Sequence, residues 1–245
     1  MSIKFIEQYT FESTQYPLIK TNRIRDYLLS QEENILKNVP WQSDYNTGLK
    51  NTDVLTRSGA YNVFDAKYMG ACPDLQDLLI FIRNCYSDYI LKVLPNKTFV
   101  NNTLTPQINA WLSVLRHNES LYTHQHTLEH DDLWSFISGT VCLDAKETST
   151  VYNYVEQDWD GVSDLKSPSD AVFGSKVIEN KPGTLTLFPP FYFHSSTRNV
   201  DHTRVSIGMD IFFHKSHLAE DSVHKNACRD LPDYNLILNE YLTNQ

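Results

Sequence analysis

Seven short apolar or alternating runs lie between residues 107 and 213, and they constrain the possible folds more than any other feature of the chain. The runs are Gln107–Leu115, Ser135–Leu143, Ser149–Val155, Val172–Ile178, Thr184–Pro189, Tyr192–Ser196 and Arg204–Phe213. Turn-forming residues such as Asp160-Gly161 and Pro182-Gly183 separate them. Runs of this length and spacing are typical of the strands of a β-sandwich or jelly roll.

The chain before residue 98 has a different, helical periodicity. Residues 20–38 predict a helix capped at Thr21 or Asn22, and Pro73 opens a second helix that Pro95 ends. Apolar residues of the second helix recur at three- and four-residue steps, at Leu75, Leu78, Leu79, Ile82, Tyr86, Tyr89 and Val93. We therefore predict a mainly β fold, a jelly roll with flanking N-terminal helices.

The 245 residues, 41% of them hydrophobic, suffice for one domain with a substantial core. We predict a single domain, 1–245, with a helical part at about 1–97 and a jelly-roll core at about 98–215. The polar tail, 216–245, contains a short predicted helix, Tyr234–Tyr241.

The net charge and the cysteine content indicate which binding partners and which cellular compartment to expect. The net charge of −9 and the lack of a basic run disfavour nucleic acid, because an acidic surface repels phosphate. No stretch approaches the roughly 20 apolar residues of a membrane span. The four cysteines are widely spaced, as in proteins of reducing compartments. We expect a cytoplasmic protein that binds neither nucleic acid nor membranes.

Histidines supply a candidate metal site. His124 and His126 are two residues apart, so a strand would point both imidazoles the same way, and His194 ends an apolar aromatic strand. Three protein ligands on one face leave positions open for oxygen chemistry at non-haem Fe(II). His130 and Asp132 form an alternative ligand pair with His194, since an anionic oxygen suits Fe(II). The sequence leaves both pairs open.

Arg204 and Ser206 form a candidate anion site ten residues beyond His194. Arg204 begins a strand in which alternate residues are apolar, and a guanidinium placed among buried residues needs an anionic partner. A carboxylate can accept two parallel hydrogen bonds from it. Ser206 lies on the same side of the strand and can donate one more.

Taken in order, these motifs resemble the 2-oxoglutarate- and Fe(II)-dependent dioxygenases, and most closely the small bacterial and phage group with a His-x-His motif. The similar segments are Thr56–Tyr61, Asn109–Trp111 before His124, Ser138–Leu143, Gly183–Pro189, and His194 followed by Arg204 and Ser206. The chain departs from the group between His126 and Ser138, where it carries extra residues. Counting back from Ser138 by the family's interval reaches His130-x-Asp132 instead of His124-x-His126.

The resemblance implies a double-stranded β-helix that binds Fe(II), 2-oxoglutarate as co-substrate, and O2. It implies hydroxylation of a small molecule or an amino-acid side chain, with release of succinate and CO2, and makes a homodimer reasonable. No catalytic residue is predicted beyond the metal ligands, and Trp111, Trp134 and Tyr192 are candidate walls of the substrate pocket.

Two other classes remain compatible with these residues. One is a different cupin-type metalloenzyme, such as a three-histidine thiol dioxygenase or an isomerase. The other is a non-catalytic jelly-roll binding protein. Arg204 favours the 2-oxoglutarate-dependent dioxygenase, because neither alternative needs a residue that binds a dicarboxylate at that position.

Overall fold

The computed structural model describes residues 11–13, 16–38, 55–56, 61–93, 106–126, 135–156, 172–213 and 229–230. The helices in these ranges are α1 (Leu18–Ser30), α2 (Glu32–Asn38), α3 (Ala66–Ala71) and α4 (Asp74–Val93). The strands are β1 (Phe11–Ser13), β2 (Leu55–Thr56), β3 (Pro106–Leu115), β4 (Ser135–Asp144), β5 (Ser149–Glu156), β6 (Val172–Glu179), β7 (Leu185–Phe188), β8 (Phe193–Ser196), β9 (Arg204–Phe213) and β10 (Arg229–Asp230). The predicted mainly β fold with N-terminal helices is confirmed.

The described strands form two antiparallel sheets. The larger has seven strands in the order β1-β7-β4-β9-β3-β10, with β2 also beside β3, and the smaller has the order β6-β5-β8. The sheets face each other, since the rings of Phe188 on β7 and Tyr152 on β5 have centroids 4.9 Å apart. Two facing antiparallel sheets are the layers that a jelly roll requires.

Strand β9 shows how the larger sheet separates its two faces. Side chains alternate along a strand, and one alternate set of β9 is apolar and buried against the helices: Val205, Ile207, Met209 and Ile211. The other set includes Arg204, Ser206 and Asp210, which are also buried. Arg204 reaches Thr150 on the smaller sheet. This polar set therefore faces the space between the sheets.

Helices α1 and α4 cover the outer, apolar face of the larger sheet. Both contact it, α1 at β4 and α4 at β7. Their buried residues join the sheet's outer side chains in one hydrophobic cluster that includes Ile24, Leu28, Leu75, Leu78 and Ile82. Among the described helices, none combines the length and the hydrophobicity of a membrane span.

The first helix begins and ends differently from the prediction. It starts at Leu18, directly after Pro17, and no side chain caps it, so the predicted cap at Thr21 or Asn22 is wrong. Thr21 lies inside the first turn, where its hydroxyl donates to the Pro17 carbonyl at 3.1 Å. Gln31 separates α1 from α2. Proline fixes its φ angle in a way that suits the start of a helix, which explains the earlier beginning.

The seven predicted strands match β3 to β9 to within one residue at each end. The sheet also includes three short strands that the sequence did not indicate: β1 pairs with β7, and β2 and β10 pair with β3. Pro73 precedes α4 as predicted. The predicted helix Tyr234–Tyr241 lies outside the described residues.

Candidate metal centre and anion site

A backbone bridge brings the two histidine segments together. His124 and His194 pair in antiparallel fashion, with the His124 N–H donating to the His194 carbonyl at 3.0 Å and the reverse bond at 2.8 Å. The His126 N–H donates to the Pro190 carbonyl at 2.9 Å. These bonds fix the His-x-His segment beside the end of β8, so that three imidazoles distant in sequence become neighbours.

The three imidazoles form a potential metal-binding group. One ring nitrogen from each of His124, His126 and His194 lies within 4.8 Å of those of the other two. Nitrogens bound at about 2.1 Å to one ion lie at most about 4.2 Å apart. The three imidazoles therefore lie close enough together to be candidate ligands of one ion. Imidazole nitrogens suit iron as well as other transition metals.

The hydrogen bonds of the rings leave one nitrogen of each free to bind a metal. The Nδ1 atom of His124 lies 2.8 Å from the Tyr122 carbonyl oxygen, and that of His194 lies 3.0 Å from the Tyr192 carbonyl oxygen. A carbonyl oxygen only accepts hydrogen bonds, so these two Nδ1 atoms carry the protons. The lone pair of each neutral ring is then on Nε2, as a metal ligand requires.

Burial keeps two of these rings in the metal-binding protonation state. It lowers the pKa of His124 from its ordinary value of 6.5 to about 4, and the neighbouring His126 ring adds to the effect. His194 is 5% exposed. Burial and then the neighbouring imidazoles hold the pKa of His194 well below its ordinary value. Both rings are thus neutral at physiological pH, with their lone pairs available.

Arg204 is a buried cation with unused donors. It is 2% exposed, and its Nη2 donates to the Thr150 hydroxyl at 3.3 Å. Among the described residues, none accepts a hydrogen bond from its Nε or Nη1. Burial lowers the pKa of Arg204, but a guanidinium keeps its charge in proteins. A buried charge lacking partners is costly, so this geometry suits a bound anion.

Besides Thr150, which Arg204 contacts, other buried hydroxyl groups lie on the larger sheet. Ser206 is buried two residues along β9, directly opposite Ser113 on β3. The hydroxyls of Ser113 and Thr184 are buried and have no hydrogen-bond partner within the described part of the chain. With Arg204, these groups can surround a carboxylate with donors. Of this set, the sequence indicated only Arg204 and Ser206.

The metal group and the anion site belong to the same space between the sheets. Thr150, which Arg204 contacts, and Tyr152 are alternate residues of β5, and Tyr152 stacks on His194 at 5.8 Å between ring centroids. The charge of Arg204 contributes to the lowered pKa of His194. Two residues of a strand span about 7 Å, which is close to the length of a five-carbon dicarboxylate.

Trp111 and Tyr192 lie at the histidines, but they contribute differently. The Trp111 indole packs beside His126, at 5.6 Å between ring centroids, and lies opposite Gly208. Tyr192 is 2% exposed and orients His194 through its carbonyl oxygen. Trp111 thus lies beside a candidate ligand through its side chain, whereas Tyr192 contacts His194 through its backbone carbonyl oxygen. Trp134 lies outside the described residues.

The remaining histidines separate into two groups. His130 and Asp132, the alternative ligand pair, lie outside the described residues, as do His214, His217 and His224. His117 and His202, for which no site role was predicted, are bonded elsewhere: His117 to the Val200 carbonyl and His202 to the Asp144 carboxylate. Cys72, Cys85 and Cys142 are buried and form no disulfide among the described residues.

Asp210 is the polar neighbour of the histidines that sequence reasoning missed. Its Oδ1 lies 2.8 Å from His126 Nδ1 and accepts a 2.5 Å hydrogen bond from the Ser138 hydroxyl. The alternation of β9 already placed Asp210 on the inner face, but only the tertiary structure assigns it to His126.

Solved structures share this fold at low sequence identity. A prolyl-4-hydroxylase from Pseudomonas putida aligns with a TM-score of 0.51 and 11% identity, over 85% of this chain and 94% of the other. A prolyl hydroxylase from Trichoplax adhaerens, solved with a hypoxia-inducible-factor peptide fragment, aligns with a TM-score of 0.53 and 9% identity over 84% of both chains.

A third similar structure is SnoK, a non-heme α-ketoglutarate-dependent carbocyclase from nogalamycin biosynthesis. It aligns with a TM-score of 0.51 and 11% identity, over 84% of this chain and 80% of its own. No protein-family model and no curated protein sequence matches the chain. The fold implied by the sequence resemblance is therefore confirmed: the chain has the fold of the 2-oxoglutarate- and Fe(II)-dependent oxygenases.

Proposed function

We propose that this protein is an Fe(II)- and 2-oxoglutarate-dependent dioxygenase that hydroxylates a small molecule or an amino-acid side chain, releasing succinate and CO2. The observation that carries the proposal is the buried guanidinium of Arg204, whose Nε and Nη1 lack described partners, in the space that also holds three clustered imidazoles. A histidine cluster alone is compatible with many classes of metalloenzyme. A candidate dicarboxylate site beside the cluster favours a 2-oxoglutarate-dependent enzyme.

Each residue has a role in this proposal. His124, His126 and His194 hold the iron through Nε2, and their Nδ1 bonds fix the ring orientations. Arg204 binds the distal carboxylate of 2-oxoglutarate, with Ser206 donating a further hydrogen bond. Bound iron supplies the chemistry that couples oxidative decarboxylation of 2-oxoglutarate to oxidation of the substrate.

The protein's own contribution is binding, orientation and exclusion of water. The inner face around Arg204 is buried, which strengthens the hydrogen bonds that it donates. Tyr152 and Phe188 pack against His194 at 5.8 and 4.8 Å between ring centroids. These apolar contacts keep bulk water away from one side of the metal site.

The three-histidine set also supports a second candidate, a cupin-type oxygenase or isomerase that uses no 2-oxoglutarate. Such an enzyme would bind iron at the same ligands. This second function does not explain why Arg204 is buried near the histidines with two donors that have no described acceptor. Dependence on 2-oxoglutarate therefore separates the two candidates.

Anaerobic titration with Fe(II) and 2-oxoglutarate tests the proposal. We expect a weak visible charge-transfer band that appears only when both are present, and succinate formation after air is admitted. His194→Ala should lose both signals. His202→Ala is the matched control, because His202 binds Asp144 outside the site, and it should keep both. A band that forms with Fe(II) but ignores 2-oxoglutarate would favour the second candidate.

A further inference from the structure

The three histidines differ in what holds their Nδ1 atoms. His124 and His194 bond to backbone carbonyl oxygens, which are neutral, whereas His126 bonds to the carboxylate of Asp210. Asp210 is 7% exposed, and its Oδ1 is also the acceptor for the Ser138 hydroxyl. Two donors on one oxygen hold the carboxylate beside the His126 ring.

A carboxylate affects an imidazole ligand more than a carbonyl does. It fixes the tautomer, holds the ring plane and increases the basicity of the other nitrogen, because its full charge polarises the N–H bond. Three neutral imidazoles bring no negative charge to a divalent ion. A nearby anion compensates for that deficit without occupying a coordination position.

We infer that Asp210 is a positioning residue that supplies the negative charge of the metal centre through His126. His126 is the second histidine of the His-x-His motif, the place taken by the carboxylate in a His-x-Asp motif. In this chain the anion lies one hydrogen bond farther from the metal. The inference rests on the metal site of the proposed function and adds the residue that sets the donor strength of His126.

A second His–Asp pair in the same protein shows that the arrangement at His126 is distinct. His202 Nε2 lies 2.9 Å from Asp144, but these side chains are 37% and 22% exposed and Asp144 also binds Arg25. The side chains of His126 and Asp210 are 9% and 10% exposed. Burial strengthens the electrostatic effect of the carboxylate on the ring, so only the Asp210 pair is expected to influence a metal.

Titration of the metal-free protein with Co(II), a visible-absorbing probe, tests the inference without relying on activity. In Asp210→Asn, which keeps the size and an acceptor oxygen but removes the charge, Co(II) affinity should fall by about 10- to 100-fold. The d–d absorption should also shift, because His126 becomes a weaker donor. Asp144→Asn is the matched control and should leave both the affinity and the spectrum unchanged.

The outcomes distinguish this inference from the proposed function. Co(II) binding by wild type and Asp210→Asn with equal affinity and the same spectrum would overturn the inference and leave the metal site intact. No binding by the wild type would overturn both. If Asp210→Asn does not fold, Ser138→Ala decides: it removes only the hydroxyl that fixes Oδ1. We expect weaker Co(II) binding in that variant, and unchanged affinity overturns the inference.

Discussion

The two faces of the larger sheet are both buried, yet they are made from opposite kinds of residue. The outer face presents Val205, Ile207 and Met209 to the helices, and it belongs to one continuous hydrophobic cluster. The inner face presents Arg204, Ser206 and Asp210 from the same strand. The outer residues stabilise the fold because folding removes their apolar side chains from water. On the inner face, the Nε and Nη1 donors of Arg204 have no acceptor among the described residues, so the polar face is where function is expected.

Arg204→Met gives the largest expected effect on the inner face. It removes a buried charge, so stability should be unchanged or higher, while 2-oxoglutarate-dependent succinate formation should fall by at least about 100-fold. Losing two charge-assisted hydrogen bonds, at about 1.5–3 kcal/mol each, accounts for a loss of this size. Succinate assays and thermal melts measure the two quantities.

Arg116→Met is the matched control for that variant. Arg116 is an ion-paired arginine at the surface, bonded to Glu32, with its side chain 47% exposed. Its loss should leave succinate formation unchanged. Succinate formation by Arg204→Met within a few-fold of wild type would contradict the assignment of the anion site.

Ile207→Ala is the corresponding change on the outer face, one strand position beyond Ser206. Ile207 is fully buried, and truncating such a side chain costs about 2–5 kcal/mol of unfolding free energy. Urea denaturation measures the loss, and metal affinity of the folded protein should not change. Val177→Ala, at a position 61% exposed on β6, should stay within about 0.5 kcal/mol of wild type. Weaker metal binding in Ile207→Ala would show that the two faces are not independent.

The histidines make the stability of the inner region depend on pH. Burial lowers the folded-state pKa of His124 from 6.5 to about 4, and burial with the neighbouring imidazoles holds the pKa of His194 well below 6.5. Between about pH 4 and pH 6.5 the unfolded chain binds more protons than the folded one. The free energy of unfolding therefore rises with pH over this range and levels off above about pH 6.5.

Denaturation of the metal-free protein across this range measures the dependence. Lowering the pH from 6.5 to 4 should cost about 3 kcal/mol from His124 alone, at 1.36 kcal/mol per pKa unit. His124→Gln, which has no titrating ring, should show a shallower dependence. A stability that is flat over this interval in the wild type would mean that the rings are not buried as neutral groups.

The sequence predicted which side chains of β9 are apolar and which are polar much better than it predicted the tertiary contacts of those side chains. Alternation along β9 predicted an apolar side of the strand and a buried cation at Arg204, because that pattern depends on neighbours in sequence. Strands of two or three residues, such as β1 and β10, have too few positions to show a period. Pairing of Asp210 with His126 is a tertiary contact, which no local pattern specifies.

Spacing also could not decide between the two predicted ligand pairs. Extra residues between His126 and Ser138 allow either His-x-His or His-x-Asp to be aligned with the family. The structure brings His124 to His194 through a backbone bridge, which the sequence cannot show. His130 and Asp132 lie outside the described residues, so the assignment of His124 and His126 as ligands is a proposal.

Two glycines offer the finest comparison of the faces, because both lie under a neighbouring side chain. A Cβ at Gly208 would lie 2.7 Å from Cε2 of Trp111, which packs beside His126 on the inner face. A Cβ at Gly139 would lie 2.8 Å from Cδ2 of Leu187, in the apolar cluster. Both alanine variants should lose about 1–3 kcal/mol through overpacking. Gly70→Ala, with open space around a helical position, should instead be neutral or stabilising.

The metal affinity should separate the two destabilised variants. In Gly208→Ala the indole must move, and His126 packs against it, so Co(II) binding should weaken while Gly139→Ala binds as the wild type does. Equal Co(II) affinities in the two variants would mean that Trp111 moves without displacing the His126 ring. Weakening in both would mean that the outer face transmits strain through β4 to Ser138 and Asp210.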